Sequence, residues 1–120
     1  MTQSPAMPAL TPQMQDCIAA CMNCHSMCEE TMSLCMQKGG PQQMQVMRAL
    51  MDCSETTRLC ADMMMRRSPV STDMCALCAK VCDMCAEACM SMPDDQQMTR
   101  CAEAARRCAD TCRTMAGATT

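Results

Sequence analysis

The chain has 120 residues, the size of one domain, and its net charge of −3 mixes both signs, so nothing calls for a nucleic-acid partner. Phe, Tyr and Trp are absent, Leu, Ile and Val together number nine, and no apolar run of about 18 residues exists to span a membrane. The apolar surface comes instead from 19 Met, 16 Ala and 15 Cys, a core of soft sulfur rather than one selected for maximum stability.

The opening "MTQSPAMPALTPQ" has neither a basic n-region nor a continuous apolar core. It reads as a flexible tail over residues 1–11 and not as a secretory signal. Thr11-Pro12 is a cap followed by Pro at the first helical position. A helix then runs to about Lys38, where "GGP" at 39–41 ends it. The second helix is expected from Gln42 to about Arg67. "SPVSTD" follows, with Pro69 as breaker and Ser71 or Thr72 as the next cap. A third helix runs from about Asp73 to Ser91. "MPDD" breaks again, and Asp94 and Asp95 suit the positive end of a fourth helix ending near Ala116. The expected fold is all-α, an up-down-up-down four-helix bundle over residues 12–117 with a cysteine-lined core.

The cysteines recur at steps of three and four, which keeps them on one helix face. The first helix carries Cys17, Cys21, Cys24, Cys28 and Cys35, with Thr31 filling the gap; the second carries Cys53 and Cys60, in register with Val46, Leu50 and Met64. The third, "CALCAKVCDMCAEAC", carries Cys75, Cys78, Cys82, Cys85 and Cys89. The fourth carries Cys101, Cys108 and Cys112, in step with Met98, Ala105 and Met115. Outer faces hold charge, such as Asp52, Lys80, Glu87, Arg106 and Arg113. A lone buried cysteine is an ordinary small hydrophobe, but fifteen in register are not. A secreted disulfide scaffold would be loop-rich, and the bacterial iron–sulfur run C-x2-C-x2-C-x3-C-P is not present.

Metal binding remains, and charge helps choose the metal. Thiolate is the ligating form, and fifteen uncompensated buried anions would be prohibitive. A monovalent soft ion can match the thiolates one for one, whereas about four zinc ions, each taking four thiolates, would leave roughly −7 in the core. Thiolate and thioether ligands also select copper(I). Five C-x3-C pairs (Cys17/Cys21, Cys24/Cys28, Cys78/Cys82, Cys85/Cys89 and Cys108/Cys112) place Cβ atoms roughly 5–6 Å apart, close enough for each to bridge one ion. Cys35, Cys53, Cys60, Cys75 and Cys101 must reach other helices. This predicts a multi-ion copper(I) site built from all fifteen cysteines, with no catalytic residues. The alternatives are a buffer for thiophilic divalent ions (zinc or cadmium) and a disulfide-held structural module.

These segments, with "CIAACMNCHSMC" and "CAEAARRCADTC", resemble the bacterial four-helix-bundle copper storage proteins, over about residues 14–115. The resemblance implies copper(I) on core thiolates, a homotetramer and the cytosolic branch of that family; a copper chaperone or efflux partner is not named by the sequence. It also implies a Met- and His-bearing mouth. An up-down-up-down bundle gathers Met14, Met63, Met64, Met74 and Met115 at one end, the expected metal entrance, and Met36, Met44, Met90, Met92 and Met98 at the other. Met44, Met47 and Met51 form a stripe expected to face away from the core, toward another subunit. His25, the only histidine, is expected at the surface.

Overall fold

Thr11 starts the first helix by accepting a hydrogen bond from the Met14 amide at 3.1 Å, with Pro12 at the position whose missing N–H costs nothing. The computed structural model describes residues 9–117 and has four helices: α1 (Pro12–Lys38), α2 (Pro41–Met65), α3 (Ser71–Met90) and α4 (Gln96–Gly117). The expected tail lies outside the described residues over 1–8. Each helix packs against its neighbours in sequence, and α4 packs back on α1, which closes an up-down-up-down bundle with α1/α3 and α2/α4 on the diagonals. No described helix is long and apolar enough to cross a membrane.

The turns explain the boundaries. Gly39 and Gly40 have φ of 65° and 93°, which favours glycine, and the Gly39 amide closes α1 onto Cys35 O at 2.9 Å. Pro41 then opens α2 one residue earlier than expected. That helix ends at Met65, not Arg67, because Arg67 turns left-handed (φ 52°) and the Arg67 and Ser68 amides cap Met64 O and Met63 O, each at 3.0 Å. The predicted cap of α3 is corrected. Ser71 lies inside the helix, and its hydroxyl donates to Met63 O and Ser68 O, so Val70 takes the cap position without a side-chain bond.

Asp95 caps α4 as its charge suggests. One carboxylate oxygen accepts from the Gln97 and Met98 amides at 2.9 and 3.2 Å, and the other meets Lys38 Nζ at 2.7 Å. The Lys38 bond and the two amides hold its carboxyl below the usual range against the opposing effect of partial burial. A depressed carboxylate contributes stability above its unfolded pKa of about 3.9 that is lost as pH falls through the folded value. Asp95→Ala is therefore expected to cost about 1 kcal/mol at neutral pH and to flatten the acid limb of the stability profile. Urea melts across pH would show no difference between variant and parent at neutral pH if this cap is idle.

The core is layered by chemistry. Near the turn joining α1 and α2 it is conventional, with Met32, Val46, Leu50 and Met98 buried. Elsewhere thiols fill it, flanked by Ala61, Ala79, Ala86, Ala102, Ala105 and Ala109, all buried. Short side chains let helix axes approach, and that approach allows sulfurs on different helices to meet. The methionine stripe departs from expectation: Met44 and Met51 are exposed, but Met47 packs partly against the core.

Candidate metal centre

All fifteen cysteines point inward and are free thiols; Cys35 is 2% exposed and every other one 0%. The shortest sulfur contacts cross between helices: Cys21–Cys108 at 3.5 Å, Cys24–Cys53 at 3.6 Å, and Cys17–Cys112, Cys53–Cys82 and Cys60–Cys75 each at 3.7 Å. Within one helix, Cys78–Cys82 and Cys108–Cys112 meet at 3.9 and 4.0 Å. Two of the five C-x3-C pairs thus meet within 4.0 Å, and the shortest contacts join cysteines on facing helices. A disulfide needs about 2.05 Å, so these are contacts and not bonds.

The sulfurs gather into four groups, each within 4.8 Å: Cys17, Cys75 and Cys112; Cys21, Cys78, Cys108 and Cys112; Cys24, Cys53 and Cys82; and Cys28, Cys85 and Cys101. They succeed one another along α1, so the core is a ladder of thiol layers. Cys60 joins the first layer through Cys75. Cys89 adjoins the last, where the neighbouring Cys101 thiol is the first cause of its raised pKa. Cys35 makes no hydrogen bond to another thiol. Burial and then the Asp95 charge raise its pKa, so it is a neutral thiol.

Protons in the ladder are shared. Cys28 is pushed up, first by its bond to Cys101, and Cys101 is pulled down, first by its bond to Cys28. Their sulfurs lie 3.9 Å apart, and one proton serves the contact. A metal ion replaces such a proton rather than adding charge.

Sequence reasoning missed Thr57, fully buried at the inward slot between Cys53 and Cys60, with its hydroxyl donating to Cys53 O at 2.7 Å. The six-residue gap between those cysteines was the available signal. The surface expectation for His25 is corrected: it is partly buried, its Nδ1–H donates to Ser54 O at 2.8 Å, and Ser54 Oγ donates to Glu29 at 2.6 Å. That network pins α1 to α2 beside Cys24 and Cys53.

At the end predicted as the entrance, Met64 is fully buried with its sulfur 3.8 Å from Cys75 Sγ. Met74 and Met115 pack partly against the core, and Met14 and Met63 are partly buried. At the other end Met98 is buried and Met90 and Met92 partly so, but Met36 and Met44 stand 66% and 58% exposed on outer faces. The first end therefore places a buried thioether directly against the ladder.

The sequence model of the copper storage protein family matches residues 10–117. The chain belongs to the copper storage protein family. Among copper storage relatives of known structure, the Cu(I)-bound copper storage protein BsCsp3 superposes with a TM-score of 0.80 at 30% identity, covering 87% of this chain and 98% of that one. The Nmul_A1745 protein from Nitrosospira multiformis gives 0.80 at 32% identity, covering 88% and 96%. The uncharacterized cysteine-rich protein YhjQ of Bacillus subtilis is 31% identical over 107 residues, 83% of this chain and 93% of its own length. Family membership joins the thiol ladder to copper, while the ladder itself is a property of this chain's own residues.

Proposed function

We propose that this chain stores copper(I), many ions per molecule, on the thiolates of Cys17, Cys21, Cys24, Cys28, Cys35, Cys53, Cys60, Cys75, Cys78, Cys82, Cys85, Cys89, Cys101, Cys108 and Cys112. The observation that carries this reading is the continuous ladder of fully buried thiols. Metal–sulfur bonds of about 2.3 Å separate trigonal ligands by about 4.0 Å, close to the 3.5–4.0 Å contacts of the ladder. One monovalent ion per thiolate keeps the core neutral, as the protonated form does. Binding is proton-for-metal exchange, so uptake weakens as pH falls.

Residues 12–117 act as one metal-binding domain behind a short tail. Metal enters at the Met14, Met63, Met64, Met74 and Met115 end, where a neutral thioether catches an ion and hands it to Cys75. The molecule is a store and not an enzyme, since its thiols are sealed from solvent and its only histidine is bonded to Ser54. A free-thiol core suits a reducing compartment, which supports the cytosolic placement. Assembly as a homotetramer follows the family resemblance.

The test is an anaerobic titration of reduced protein with copper(I) against a competing chelator, with protein quantified by amino-acid analysis because no aromatic absorbs. The expected result is tight uptake approaching one ion per cysteine, with about one proton released per ion. Uptake of one or two ions, with most thiols still reactive to a thiol reagent in denaturant, sinks the reading.

A further inference from the structure

The four thiol layers are not alike. Three bring three sulfurs mutually within 4.8 Å, but the second brings four: Cys21, Cys78, Cys108 and Cys112, all fully buried. Cys21 Sγ lies 3.5 Å from Cys108 and 3.8 Å from Cys112, and Cys108 lies 4.0 Å from Cys112. Tetrahedral bonds of about 2.3 Å to sulfur separate ligands by about 3.8 Å. We infer that this layer is a closed tetrathiolate site for one divalent ion of the zinc class, distinct in metal and geometry from the copper(I) layers around it.

Charge is the objection, because four thiolates around a divalent ion carry a net of about −2 in a dry core. The neighbouring layers answer it. Cys17 Sγ lies 3.7 Å from Cys112 and Cys82 Sγ 3.9 Å from Cys78. Both neighbouring thiols stand within hydrogen-bond reach of ligating sulfurs, an outer shell of the kind that metal–thiolate sites rely on. Sharing limits the site to one ion, because a second divalent ion in the first layer would compete for Cys112, which belongs to both the first and second layers. The ligands come from α1, α3 and α4, so one ion ties three of the four helices before any copper arrives. Copper(I) filling the first layer claims Cys112, so loading expels the divalent ion.

Cobalt(II) is the probe, added anaerobically to the reduced full-length chain. One equivalent should produce the intense tetrahedral d–d absorption and sulfur-to-cobalt charge transfer of a tetrathiolate. One equivalent of zinc should bleach both, and so should copper(I). Cys78→Ser should weaken cobalt binding more than about 10-fold, since even outer-shell losses cost that much, whereas Met36→Leu, on the exposed face of α1, should leave it unchanged. The weak absorption of octahedral cobalt in the parent, or an undiminished spectrum in Cys78→Ser, overturns the inference. X-ray absorption of the zinc-loaded parent needs no variant: four sulfur neighbours at about 2.3 Å support the site, and a shell mixed with oxygen or nitrogen overturns it. The copper(I) titration above is read separately, so either result stands or falls without the other.

Discussion

Saturating the reduced protein with copper(I) raises its thermal midpoint by more than about 15 °C. The ions bind the folded ladder and have no equivalent site in the unfolded chain. One site at ligand a thousandfold above its dissociation constant contributes about 4 kcal/mol, and a domain of this size shifts roughly 4 °C per kcal/mol. Several layers filled together push the transition higher still, since each bridges at least three helices. The bundle also forms before loading, because Thr11 and Asp95 cap their helices and Arg67 sits in a closed turn without metal. Apo protein should therefore melt cooperatively with full helical circular dichroism. Coincident melts for the two forms would mean that the metal sits outside the core.

Leu50→Ala has the largest expected effect on the apo protein. Leu50 is fully buried in the one region where ordinary hydrophobes hold the helices together, beside Val46, Met32 and Met98. Truncation loses the transfer energy of the side chain and leaves a cavity, about 3 kcal/mol together. The apo midpoint should fall by roughly 12 °C at about 4 °C per kcal/mol. Copper capacity should not change, since Leu50 carries no ligand atom and all fifteen thiols remain. A large fall in ions bound per chain, with helicity intact, would show that the apolar end and the thiol layers are one functional unit.

These contrasts show how far the sequence could be read. Pro12, the Gly39-Gly40-Pro41 turn and the Asp94-Asp95 pair marked the helix ends to within about two residues, because caps and breakers act locally. Steps of three and four placed each cysteine on an inward face, and every one is buried. The same spacing could not say which sulfurs would meet. That depends on the relative height and rotation of facing helices, so the Cys24–Cys53 and Cys21–Cys108 contacts were not legible where Cys78–Cys82 was. The bond from His25 to Ser54 spans 29 positions and leaves no local mark. Met36 failed for a geometric reason: about four turns beyond Met22 on the same outward face of α1, it follows the helix into solvent at 66% exposure rather than turning over the bundle mouth.

The Met32, Val46, Leu50 and Met98 plug at the end opposite Met64 gives the ladder a direction. If metal passes only beside Met64, the store behaves as a stack rather than a reservoir. An ion held at the Cys28 layer can leave only after the layers above it have emptied, so the last arrivals depart first. Copper pulsed in one isotope and topped up in another should therefore come out in reverse order, and the age of an ion in the molecule would be written in its depth.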